Sequence, residues 1–148
     1  MRKKIPVVRA LVLAVTQAGC GGDPIYGEWV GTSFTYASAP TMELPYSGDR
    51  NGQTYSLETF FSFQEQDIGS LTFHDVYADG TTIVQDNKEV HIVTGEAISV
   101  GRWDILVRDY FGLKLQCTAS SSTLMCEGED EDKASYKFEF APDPAAKK

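Results

Sequence analysis

From Tyr26 to Phe140 the chain alternates apolar and polar residues with a period of two, and a helical period is hard to find. Tyr26-Gly-Glu-Trp-Val-Gly-Thr-Ser-Phe-Thr-Tyr36 reads as a first strand. Ala37 to Thr54, rich in Pro, Ser, Gly, Asp and Asn, reads as a long loop. Tyr55–Gln64 and Ser70–Tyr77 are aromatic, β-branched runs, and Asp79-Gly80 is a strong hairpin signal leading into Thr81–Gln85. Asp86-Asn-Lys88 is expected to turn the chain into Glu89–Thr94, and Gly95-Glu96 to turn it again. Ala97–Val100 and Trp103–Arg108 read as one bent strand or two, broken at Gly101. Asp109–Gly112 then links to Leu113–Thr118, followed by Leu124–Glu127 and Ser135–Phe140.

These are eight to ten short strands joined mostly by tight turns, with no helix able to cross between parallel strands. The expected fold is all-β, a single antiparallel meander closed into a barrel or folded as a sandwich. Closure is attractive because an open meander leaves edges exposed.

The first twenty residues do not belong to that pattern. Arg2, Lys3, Lys4 and Arg9 are followed by the uncharged run Ala10–Thr16 and then by Gln17-Ala18-Gly19-Cys20. This order of basic, apolar and small residues is that of an export signal, and the apolar run falls short of the ~20 residues a spanning helix needs. With its cysteine after Ala-Gly, the segment resembles a bacterial lipoprotein signal peptide, although Gln17 stands where that family usually has Leu. The resemblance implies cleavage before Cys20, acylation of Cys20 and attachment to the cell envelope. Gly21 follows, where inner-membrane retention typically uses Asp, so in a host with two membranes the outer one is implied. An ordinary secretion signal cut after Ala18, or a basic tail, are the other readings of the segment. The organisation expected is a signal peptide over 1–19, a lipidated cysteine and tether over 20–24, a β-domain over 25–141 and a disordered tail over 142–148.

Loss of residues 1–19 leaves 129, one domain by length and enough to bury roughly two thirds of the unfolded surface. Four of the thirteen Lys/Arg leave with the signal, so nine face twenty-one Asp/Glu, a net charge of −12. Such a surface repels phosphate backbones and anionic headgroups, which argues against nucleic acid as a partner. Attachment to a membrane therefore rests on the lipid, at about 0.8 kcal/mol per buried CH₂.

With Cys20 assigned to the lipid, Cys117 and Cys126 remain as a pair in an oxidising compartment. They flank a Ser/Thr-rich turn between two alternating runs, so antiparallel strands can set them opposite one another as a disulfide. Two free buried thiols would hold in a cytosolic chain. A zinc site is not expected, since no further His or Cys lies nearby.

Gly27-Glu28-Trp29 opens the first strand, and Arg108-Asp109-Tyr110 occupies a late turn. The combination resembles the lipocalin superfamily, whose first strand carries Gly-x-Trp and whose later turn carries Thr-Asp-Tyr. Gly27, Trp29, Asp109 and Tyr110 match; Arg108 replaces the Thr, and Lys137 stands roughly where that family packs an Arg on the tryptophan. The resemblance implies an eight-stranded barrel, an apolar ligand, and closure of one barrel end by these residues. On the first strand, Trp29 shares a face with Gly31, Ser33 and Thr35, which would plug one end and leave space above it. Otherwise Gly31 marks a bulge and Trp29 is ordinary core.

Residues able to do chemistry are scattered. His74 and His91 sit in strands beside apolar neighbours, and no nucleophile motif accompanies them. Asp49-Arg-Asn-Gly52 copies only part of a calcium loop, and Glu127–Asp132 reads as a solvated acidic connector. No catalytic residues, metal or cofactor are expected. Phe60, Phe61, Phe63, Phe73, Trp103, Tyr136, Phe138 and Phe140 suffice for a core or for an apolar pocket. Two functions follow as expectations: an anchored binding protein with a small apolar ligand in its barrel, or an envelope structural or interaction protein with a filled core.

Overall fold

A computed structural model describes residues 22–146, so the signal peptide and Cys20 lie outside the described residues. Ten strands follow in order: β1 (Gly27–Tyr36), β2 (Met42–Glu43), β3 (Tyr46–Arg50), β4 (Gln53–Phe63), β5 (Ile68–Asp79), β6 (Thr82–Ser99), β7 (Arg102–Val107), β8 (Lys114–Ala119), β9 (Leu124–Glu129) and β10 (Ser135–Pro142). All pairings are antiparallel. Strands β4 to β10 form a meander that returns through β10 to β1, and β1 also pairs with β4. The result is a closed eight-stranded barrel with β2 and β3 as additions. The meander read from the alternation is therefore present, as a barrel rather than a sandwich.

Strand β1 is shared along its length. Gly27–Val30 pair with Phe60–Phe63 of β4, whereas Ser33 and Phe34 pair with β2. Against β10 the register shifts, with Phe140 opposite Gly31 and Glu139 opposite Ser33, so Thr32 is the extra residue of a bulge. The bulge changes which side chains face inward. Trp29 is inside at 4% exposure, but beyond the bulge Phe34 turns in and stacks on Phe138 at 5.0 Å between ring centroids. The space expected above Trp29, beside Ser33 and Thr35, is thus taken by Phe34. Glycine is required at 31 because a Cβ there would overlap the Thr59 hydroxyl and press on Leu44.

Three further segments differ from the sequence reading. Ala37–Thr54 is not one loop: it holds β2 and β3, and Asn51 (φ 54°) and Gly52 (φ 83°) form the two-residue turn into β4. Thr82–Ser99 is one strand of 18 residues, with no turn at Asp86–Lys88 or at Gly95. Gly95 lies within the strand because the rings of Phe63 and Trp103 occupy the place of its side chain. At the far end, Pro142 still pairs with Trp29 and Pro144–Ala146 make a 3-10 turn, where a frayed tail was expected.

Along β4 and β7–β10 buried inward residues alternate almost perfectly with outward ones that are partly or fully exposed. Each large apolar side chain fully buried there stabilises by about 1.5–3 kcal/mol. A second, smaller cluster of Leu44, Tyr55 and Leu57 lies where β3–β6 continue past the other strands. We call the end carrying Trp29 the lower end, and this extension, at the other end, the flange.

Candidate functional site

The two halves of the barrel differ in chemistry. Rows of inward side chains cross β4, β5 and β6 by register. The lower rows are Phe63–Gly69–Val93 and Phe61–Leu71–His91. Moving up they become Thr59–Phe73–Glu89, Leu57–Asp75–Asn87 and Tyr55–Tyr77–Gln85. Polarity therefore rises toward the flange, where the inner face carries carboxylates, amides and phenols.

The lower half and the axis are solid. Ring follows ring from Tyr26 to Trp103 (5.7 Å), Phe63 (5.2 Å), Phe61 (6.0 Å), Phe140 (5.7 Å), Phe138 (5.9 Å), Phe73 (6.0 Å) and Tyr110 (5.5 Å). Trp29 is held by its own Nε1–H, which donates to the Ile25 carbonyl at 2.9 Å. Among the described residues, the best-formed depressions, of about 660, 510 and 310 Å³, are partly open to solvent. The first of these runs over the outside of β6–β8, beside Glu96, Asp104 and Gln116.

At the upper end, Tyr110 meets His91 (4.7 Å) and Tyr136 (5.8 Å), and Tyr36 meets Tyr136 (4.9 Å). The Tyr136 hydroxyl donates to Asp130 Oδ2 at 3.2 Å, while Asp130 Oδ1 accepts the N–H groups of Asp132 and Ala134. Asp130 thus shapes the β9–β10 turn as well as satisfying the phenol. Burial, foremost, raises the Tyr136 and Tyr110 phenols above their ordinary range, with Tyr110 and Asp130 adding to the effect on Tyr136. On the flange, Arg50 lies 3.9 Å above the Tyr55 ring. Burial and then Asp75 push the Tyr55 phenol up, with Arg50 acting in the opposite sense.

The residues singled out in the sequence are dispersed. Cys117 and Cys126 face each other across β8 and β9 and form a disulfide inside the barrel, with Cα atoms 4.0 Å apart. Gly27 and Trp29 sit at the lower end, whereas Asp109 and Tyr110 turn the chain at the upper end. Between them lies the length of β1, roughly 23 Å for its seven steps from Trp29 to Tyr36. They therefore do not close one end together, as the lipocalin resemblance implied. Lys137 points outward toward Glu139 at 4.0 Å and away from Trp29.

His74 and His91 lie on opposite faces of the sheet. His91 is inward, with Nε2 2.8 Å from Glu89, and His74 is outward, between Asp86 (2.7 Å) and Glu58 (3.6 Å). No serine, threonine or cysteine nucleophile accompanies either pair in these contacts. Among the described residues no group of three or more His, Cys, Asp and Glu is placed to hold a metal ion.

Sequence reasoning missed the flange. Its signal was masked, since Gln85-Asp-Asn-Lys-Glu89 is polar on both faces of the strand and so carries no apolar alternation, and the polar Asp-Asn-Lys was read as a turn. Comparison with protein-family models, curated proteins and solved structures finds no match for this chain.

Proposed function

We propose that this chain is an exported, non-enzymatic envelope protein, anchored by a lipid on Cys20, in which a solid barrel carries an exposed flange as its working surface. The observation that carries this reading is the unbroken ladder of rings along the barrel axis, from Tyr26 to Tyr110. A barrel filled in this way serves as a rigid support. The cup for a small apolar ligand has less support, because Phe34 and Phe73 fill the space above Trp29 where such a ligand would sit.

The polarity of the molecule agrees with anchoring from below. Asp23, close after Cys20, is tied to the lower end through the β6–β7 turn, so a lipid at Cys20 leaves the flange facing away from the membrane. Nine basic against twenty-one acidic residues leave the body no electrostatic route to an anionic surface. Fractionation of cells expressing the full chain tests the reading. Cys20→Ser should move the protein from the membrane to the soluble fraction, and an unchanged membrane fraction would contradict lipid anchoring.

A further inference from the structure

Strand β6 outruns its neighbour. Its paired partners on β7 begin at Val93, and the Arg108 N–H donates to the Ile92 carbonyl at 2.8 Å as the last bond on that edge. Residues 82–90 are paired to β5 on one side and, among the described residues, open on the other. Peptide groups alternate in direction along an antiparallel strand. The Ile92 bond therefore fixes those of Val90, Lys88 and Asp86 as pointing to the open edge. This edge is neither short nor interrupted by proline; its charges, which guard an edge against indiscriminate pairing, leave open a partner whose charges complement them.

We propose that this edge pairs antiparallel with the same strand of a second copy of the chain, about a two-fold axis at Asn87. The sequence of the strand selects that register. With Asn87 on the axis, Asp86 stands opposite Lys88 of the second copy and Lys88 opposite its Asp86. Val90 then faces the Ile83–Val84 end of the other strand, where a bulge in β6 leaves both side chains exposed (61% and 56%). The neighbouring registers that keep the same peptide groups facing place the axis at Asp86 or at Lys88. Each sets like charges directly opposite, which destabilises a strand pair. Asp86 can serve both neighbours, because Oδ1 is the atom that meets His74 and Oδ2 is left for the lysine.

The contact is isologous, the kind that closes a dimer rather than a fibre. Arg108 occupies the edge at Ile92, which stops the pairing near residue 91 and limits it to one defined stretch. The second copy is thus one partner the flange can take, and this deepens its reading as the working surface. It is independent of the anchor, so failure here would leave the fractionation of Cys20→Ser unaffected.

Disulfide trapping tests the proposal in the full chain in detergent, with Cys20→Ser as background and Cys117–Cys126 already paired. Cα atoms of a non-hydrogen-bonded pair are about 4.5 Å apart, within disulfide reach. Asn87→Cys should therefore link most of the protein into a dimer under mild oxidation. Gln85→Cys should not, since four residues separate it from its copy, roughly 13 Å along the strand. Adding Lys88→Asp to Asn87→Cys should cut the dimer yield at least tenfold, and adding Asp86→Lys as well should restore it. Equal linking at 85 and 87, a yield indifferent to Lys88→Asp, or no rescue by the double exchange would overturn the proposal.

Discussion

Asp23 Oδ2 accepts the Gly101 N–H at 2.8 Å, across 78 residues of chain, while its Oδ1 accepts the Ile25 N–H at 3.0 Å. One carboxylate thus pins the leading segment beneath the barrel, beside Pro24, Tyr26 and the β6–β7 turn. Hydrogen bonds to a charged group contribute about 1.5–3 kcal/mol when partly buried. Asp23→Ala should lower unfolding free energy in urea by about 1–3 kcal/mol, and no loss would show that the segment is not held there.

The inward disulfide closes a short loop, with a sequence separation of 9. Its loss, in Cys117→Ala/Cys126→Ala, should lower stability by about 2–3 kcal/mol without opening the barrel. Far-ultraviolet circular dichroism and urea unfolding of that variant separate the two effects; a lost strand signal would contradict the account.

Thr59 is fully buried and its hydroxyl has no hydrogen-bond partner among the described residues, at the point where Gly31 lacks a side chain. Burying a lone hydroxyl costs about 1–3 kcal/mol, and an apolar group of the same shape removes that cost. Thr59→Val should therefore raise the melting temperature. Gly31→Ala should destabilise by about 1–3 kcal/mol through overpacking, and less in a Thr59→Ala background, where the overlapping hydroxyl is gone. Additive effects of the two changes would disprove the contact.

Alkaline pH should weaken the fold through its phenols. Burial, then the Asp67 carboxylate 2.8 Å from its hydroxyl, push the Tyr26 phenol from 10.0 up to about 12. A pKa raised on folding stabilises below the unfolded value and is lost as pH climbs through the folded one. Stability should thus hold to about pH 10 and fall between 10 and 12, with Tyr110 and Tyr136, raised likewise by burial, adding to the fall. Tyrosinate absorbance followed with circular dichroism should show phenols ionising together with unfolding. Ionisation of every tyrosine near pH 10 in an intact barrel would contradict this.

Much of the barrel was legible because each inward row has a sequence signature. Leu113, Leu115 and Cys117 alternate with Lys114 and Gln116, and the pairing of the cysteines followed from the strands around them. The register shift at Thr32 has a weaker signature, the strand glycine Gly31, which left a bulge and an open space above Trp29 as alternative readings. Its effect, turning Phe34 inward, arises from the contact between β1 and β10. Gly95 was misread because a glycine in a strand looks like a turn until the rings of Phe63 and Trp103 are seen to need its space. Pro40, Pro45 and Gly48 disguised β2 and β3, which as short added strands tolerate such residues. Of the candidate residues, the disulfide was readable from local alternation. The separation of Trp29 from Tyr110 depends on the path of the whole chain through the barrel.

The filled axis is the centre of this account, and native mass spectrometry of the protein released gently from membranes tests it most directly. The account predicts a spectrum explained by the chain and its N-terminal lipid, with no uptake of an added apolar probe. A stoichiometric apolar ligand lost only on unfolding would contradict it, and would mean that the rings from Trp103 to Tyr110 part to admit a guest.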